Sequence, residues 1–112
     1  MRAAHELNAP LVAAREAVHD GPLAAEHSFV SVDADNVVID CVKKAEDSDA
    51  VIVRLYEAHG SRGLVNLTFG DAPAKVTECD MMEENDCEVA HEGSSVSFTI
   101  KPWEVRTFKV QM

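Results

Sequence analysis

The chain has 112 residues, 46% of them apolar, with 20 acidic against 10 basic side chains, a net charge of -10 and a pI near 4.7. That length predicts one domain with a core of its own. The acid excess excludes a nucleic-acid footprint, which needs basic charge to displace counterions, and likewise an anionic membrane surface.

No run of about 18 apolar residues is present to span a bilayer. No basic-then-apolar leader follows Met1, which fits a cytoplasmic protein or a piece of a longer chain. Three cysteines, Cys41, Cys79 and Cys87, make an odd number without CxxC spacing. They read as free thiols in a reducing compartment, with a Cys79–Cys87 bridge as the alternative.

In chain order, Ala, Glu, Leu and Arg give residues 11–19 helical propensity, and Pro10 sets that stretch apart from the residues before it. Asp20-Gly21-Pro22 is a turn. From Ser28 the rhythm becomes that of strands. Phe29, Val30 and Val32 form a short one. Asp33 to Asn36 turns, and Val37 to Lys44 is the second. Residues 50–58 are the most strand-like run: Val51, Val53 and Leu55 on one face, Ile52, Arg54 and Tyr56 on the other. Leu64 to Phe69, Ala74 to Cys79 and Ser95 to Lys101 follow, separated by Gly- and Pro-containing turns. Residues 81–93 are acidic and loop-like, with a two- or three-residue strand near Val89, and are expected to face solvent. In the last strand, Val105, Phe108 and Val110 break parity, which predicts a bulge near Arg106-Thr107. Phe29, Phe69, Phe98 and Phe108 are expected in the core. Many short strands with short turns predict an all-β fold, an antiparallel two-sheet β-sandwich of about 7 to 8 strands, immunoglobulin-like.

No catalytic constellation is legible. The five histidines form no HxH, HxxxH or HExxH pattern, and Cys79, Cys87 and His91 match no compact zinc spacing. Asp33-Ala34-Asp35-Asn36 lacks the glycine and the closing glutamate of a calcium loop. The Asn66-Leu67-Thr68 sequon falls inside a strand. Arg54 is a charge on a central strand and needs a partner. Glu57 and Glu104, each beside an aromatic, are the candidate carboxylates. Arg54 and Glu57 lie three residues apart and point to opposite faces, so Glu104 is the first choice for Arg54, with Glu57 at the rim. Tyr56 and Trp103, not needed for the core, are candidate carbohydrate contacts. Catalytic and metal-binding residues are expected to be none.

Five stretches, in order, resemble one family. Val53 to Gly60 (VRLYEAHG) is similar to the R-L-Y-E-x-x-G strand in the C-terminal β domain of glycoside hydrolase family 38 α-mannosidases. Glu6-Leu7-Asn8-Ala9-Pro10-Leu11 resembles the E-L-N-x-P-L segment that leads into it. Ser28-Phe29 with Val38 to Glu46 resembles SF…V-x-x-x-V-K-x-A-E. Asp80 to Glu83 resembles D-x-x-E, and Pro102 to Thr107 resembles P-[aromatic]-E-[apolar]-x-T. The resemblance, closest to cytosolic-type and microbial members, covers residues 5 to 112. It implies a domain with an extended lead-in over 1–27, including a strand near 10–17 in place of the helix that propensity favours, and a main body over 28–112. It implies an accessory role in a retaining, zinc-dependent α-mannosidase whose catalytic domain, nucleophile and zinc ligands lie outside this chain. Cofactors are then none in this chain, with zinc in the parent. The partners are the remaining domains of the parent, with a homo-oligomer as a further expectation. A free-standing carbohydrate-binding module is the alternative, and a small self-sufficient hydrolase is the least favoured reading.

Overall fold

The structure, a computed structural model, describes residues 2–112, the Arg2 side chain excepted. Among the described residues one short helix, α1 (Arg2–Asn8), precedes eight strands: β1 (Val30–Val32), β2 (Val37–Lys44), β3 (Val51–Glu57), β4 (Gly63–Phe69), β5 (Lys75–Cys79), β6 (Cys87–Glu88), β7 (Ser95–Ile100) and β8 (Val105–Gln111). They form two antiparallel sheets, ordered β1-β4-β7 and β2-β3-β8-β5-β6. The fold is therefore the all-β two-sheet sandwich that the alternation predicts.

The period-two pattern decides what lies between the sheets. Val65, Leu67 and Phe69 of β4 and Val96, Phe98 and Ile100 of β7 meet Val53 and Leu55 of β3 and Phe108 and Val110 of β8 in one core. Leu55, Leu67, Ile100 and Phe108 are fully buried, each stabilising the fold by about 1.5–3 kcal/mol relative to exposure.

The five-stranded sheet is also covered on its other face. Ile52 and Cys79 pack there with Ala45 and Ala50 in a second, smaller core. β8 thus has two buried faces, Phe108 and Val110 inward, Thr107 and Lys109 outward. This explains the broken parity: β8 runs in unshifted register with both β3 and β5, and the expected bulge near Arg106-Thr107 is absent. The irregularity sits instead in β2, between Ile39 and Cys41.

Three other expectations are corrected. Residues 10–17 form no strand. Among the described residues no backbone hydrogen bond ties them to a sheet, and their alanines favour no ladder. Leu11, Val12 and Val18 are fully exposed, while the upstream helix closes with Ala9 N donating to His5 O. Phe29 is 74% exposed, because β1 begins only at Val30; its ring meets His27 edge-on at 4.9 Å. The acidic loop is not wholly solvent-facing, since Glu83 is buried and helps cover the second core.

Candidate functional site

The best-organised polar site is the corner where β3 ends, built around the Glu57 carboxylate. Glu57 continues the inward face of Val53 and Leu55 and is only 1% exposed. A carboxylate buried without partners is very costly, and here its partners come from three segments. Oε1 accepts from Asn36 Nδ2 and from His59 N, each at 2.9 Å. Oε2 accepts from Gly60 N at 2.7 Å and Trp103 N at 3.0 Å. Burial opposes ionisation, but the donors from Trp103, Asn36, His59 and Ser61 outweigh it and bring the Glu57 pKa down to about 2. No cation takes part in these bonds. The charge is solvated by oriented N–H dipoles.

The corner fixes two unusual backbones. Gly60 has φ +74°, and a Cβ there would lie 2.8 Å from the Trp103 ring. Glycine is required both for the left-handed conformation and for the close approach. Trp103 itself has φ +60°, a costly conformation for a large side chain. Its N–H is held by Glu57, and its indole rests on Gly60 while remaining 67% exposed. The aromatic is thus presented to solvent from a rigid mount.

The other residues singled out in the sequence are placed as follows. Tyr56 is half-buried, with its hydroxyl 3.0 Å from His5 Nε2 of α1. It pairs across the sheet with Val105, two residues from Trp103, so both aromatics lie at one end of the sandwich. Arg54 donates to Thr107 Oγ1 at 3.2 Å and to Met81 O at 3.0 Å. Glu104 accepts from Lys101 N at 2.8 Å and lies 4.0 Å from Lys101 Nζ, closing the β7–β8 turn. Arg54 and Glu104 are therefore not brought together: Glu104 O pairs with Glu57 N, three residues along the strand from Arg54, or about 10 Å. Glu57 is in the interior rather than at the rim.

Two arrangements escaped the sequence reading. Arg106 points inward from β8 with its guanidinium over the Phe98 and Phe108 rings, 4.9 and 5.7 Å from their centroids. It pairs bidentately with Glu78 of β5 and donates to Thr99 O at 3.0 Å, which ties β7 to the larger sheet. Its shared parity with Phe108 and Val110 is the available signal. The second arrangement fastens the acidic loop. Buried Lys109 donates to Glu83 O at 2.9 Å and to Asp86 Oδ2 at 3.3 Å. Glu83 receives Lys43 Nζ at 2.7 Å and Glu46 N at 2.8 Å. These contacts lower the Glu83 pKa, the Lys43 bond being the largest cause. Burial lowers the Lys109 pKa, but Asp86 and Asp47 outweigh it and raise it.

Glu57 has both oxygens filled by protein donors and no exposure through which to reach a substrate. No set of three or more His, Cys, Asp or Glu side chains among the described residues is placed to hold a metal ion. The zinc that the resemblance implies belongs to the catalytic domain of the parent, and no ligand set for it is found among the residues described.

Comparison with known proteins agrees with the fold. The family model described as "Glycosyl hydrolases family 38 C-terminal beta sandwich domain" matches residues 36–108. The chain is 31% identical over 112 positions to alpha-mannosidase 2C1 of Mus musculus, covering 96% of this chain and 11% of that protein. The Homo sapiens alpha-mannosidase 2C1 is 36% identical over 89 residues, covering 77% of this chain and 8% of that protein. Alpha-mannosidase G of Dictyostelium discoideum is 29% identical over 87 residues, covering 75% of this chain and 8% of that protein. The chain thus spans about a tenth of the length of these relatives. The matched residues include the whole Glu57–Trp103 corner, and the chain belongs to the glycosyl hydrolase family 38 C-terminal β-sandwich domains.

Proposed function

We propose that this chain is the accessory C-terminal domain of a cytoplasmic α-mannosidase, a retaining and zinc-dependent hydrolase of α-mannosides, in which it packs against and supports the remaining domains without performing catalysis. One observation carries this reading: the chain aligns over most of its length with about a tenth of each of several α-mannosidases. The placement of its buried charges agrees, since each is consumed in holding loops and sheets. The test is to express the parent-length protein with and without residues 36–108, measuring α-mannoside hydrolysis and thermal midpoint. Loss of the domain is expected to lower the midpoint and the yield of active enzyme. Unchanged stability and turnover would sink the supporting role.

A second reading, carbohydrate contact through Trp103 and Tyr56, is favoured by the exposed indole on its rigid mount. It predicts quenching or a shift of Trp103 fluorescence with millimolar mannose or mannobiose. An unchanged spectrum would refute it. The chain's one tryptophan makes the signal unambiguous.

A further inference from the structure

We propose that Asp20 is a modification site of this chain, where its side chain and the Gly21 backbone nitrogen close to a cyclic imide that water opens to an isoaspartyl linkage. The reaction needs a carboxyl group, an unshielded nitrogen on the next residue and a backbone free to bring them together. Asp20-Gly21 is the one Asp–Gly or Asn–Gly step in the sequence. Without a Cβ, Gly21 neither shields its nitrogen nor restricts the approach.

The structure leaves this step open. Asp20 and Gly21 are exposed and lie in no helix, strand or hydrogen-bonded turn. Nothing stands within 4 Å of where a Cβ would project from Gly21. Among the described residues no backbone hydrogen bond involves residues 10–27, so no ladder holds the Gly21 N–H. Elsewhere the fold closes the same route. Asp80 Oδ1 accepts from Met82 N and Glu84 N, and its Oδ2 from Asn85 Nδ2. Asp33 is held by Asn66 through both oxygens. After Asn36, the Val37 nitrogen is spent on Ala34 O. Asp40 and Asn66 lie within β2 and β4.

A neighbouring side chain activates the nitrogen. His19 Nδ1 lies 3.2 Å from Asp20 O. A carbonyl oxygen only accepts, so the imidazole donates. That oxygen and the Gly21 N–H belong to one conjugated peptide group. The attacking form is the deprotonated amide, whose charge sits largely on the same oxygen, and a donor there stabilises it. The nitrogen adds to Cγ of the Asp20 carboxylic acid. The N–Cγ bond forms, the Cγ–OH bond breaks, and the departing hydroxyl with the amide proton makes one water. Water then adds to either imide carbonyl. Opening at Cγ restores aspartate. Opening at the Asp20 backbone carbonyl routes the main chain through Cγ and frees an α-carboxylate. One water is lost and one regained, so mass is unchanged and no oxidant or reductant takes part. The product lengthens the main chain by a methylene, which a paired strand would resist and this unpaired stretch accepts. Its free α-carboxylate is the group that a carboxyl methyltransferase esterifies from S-adenosylmethionine. The inference stands apart from the α-mannosidase reading, since it concerns this chain's own residues.

Ageing the full chain at neutral pH in oxygen-labelled water, with peptide mass spectrometry that cleaves backbone N–Cα bonds, tests the inference. Isoaspartate should build up at residue 20, with label incorporated there, at no less than the rate in a free peptide of residues 14–26. Gly21→Val should cut the rate at least about tenfold, and His19→Phe about fivefold, the worth of one hydrogen bond. All three positions are exposed, so both variants should keep the thermal midpoint of the unsubstituted chain. Aspartate that stays intact and unlabelled at residue 20 would overturn the proposal. So would a rate more than about tenfold below that of the free peptide, which would mean that the fold shields the step. A rate indifferent to His19→Phe would overturn it too, because the activating contact would then do nothing.

Discussion

Two buried charges hold this domain together in opposite ways. Glu57, at the end of β3, is surrounded by N–H donors and an amide, with no cation in the network. Lys109, on the outward face of β8, is balanced by the carboxylates of Asp86 and Asp47 and by Glu83 O. The first arrangement is local and geometric: two loops must adopt one shape to aim their N–H groups at two oxygens. The second is a meeting of opposite charges, with Asp86 and Asp47 themselves largely in water. Dipoles pinned by backbone geometry are insensitive to salt, whereas partly exposed ion pairs are screened by it. The carboxylate corner should therefore dominate stability and shape, and the lysine corner should adjust them.

Glu57→Ala is expected to have the largest effect. It leaves the N–H groups of His59, Gly60 and Trp103 and the Asn36 amide without their acceptor. The thermal midpoint should fall by on the order of 10 °C, and Trp103 fluorescence should change, because the indole loses its mount. Next comes Gly60→Ala, which forces a side chain into a left-handed backbone and against the indole 2.8 Å away. A loss of about 1–2 kcal/mol in denaturant unfolding is expected, and restoration of part of it by the double substitution with Trp103→Gly would identify the ring contact as the cause. Lys109→Met removes the cation but leaves carboxylates that water can reach, so stability should stay within about 1 kcal/mol of the unsubstituted chain. The salt dependence of the midpoint should flatten. A larger loss from Lys109→Met than from Glu57→Ala would reverse the ranking. The smallest effect belongs to Asp49→Ala at the exposed Lys44–Asp49 pair, less than about 0.5 kcal/mol.

The pH dependence follows from the same corner. Glu57 has a folded pKa of about 2, below its ordinary value of 4.5. The unfolded chain then takes up the proton first, so this contribution is complete above pH 4.5 and is lost as the pH falls from 4.5 towards 2. Glu83, whose pKa is also lowered, acts in the same direction. Glu57→Gln should lower stability at neutral pH and make the acid limb of the stability curve shallower. An unchanged acid limb would mean that other carboxylates set it.

Much of the sandwich was legible, because β3, β4 and β7 alternate in hydropathy and end at glycine, proline or polar turns. β8 was legible as a strand but not as one buried on both faces, since alternation carries no information about a second core beneath an acidic loop. The roles of Arg54, Glu57 and Glu104 were hardest to read. Parity correctly separated Arg54 from Glu57, but nothing in one sequence shows that Glu104 turns back on Lys101 or that Arg54 finds Met81 O. The capture of Glu57 by main-chain N–H groups has no side-chain signature beyond Gly60 and Asn36. Residues 10–17 could not be decided by propensity, which favours a helix over 11–19 where the structure has neither helix nor strand.

The most direct test of the central claim, that the Glu57 carboxylate organises this end of the sandwich as a buried anion solvated by N–H dipoles, is its own titration. Following the Glu57 side-chain carboxyl carbon by NMR as pH is lowered should give a midpoint of about 2, with the amide protons of Gly60 and Trp103 shifting at the same pH. A midpoint near 4.5, the ordinary glutamate value, with those two amides unmoved, would contradict it.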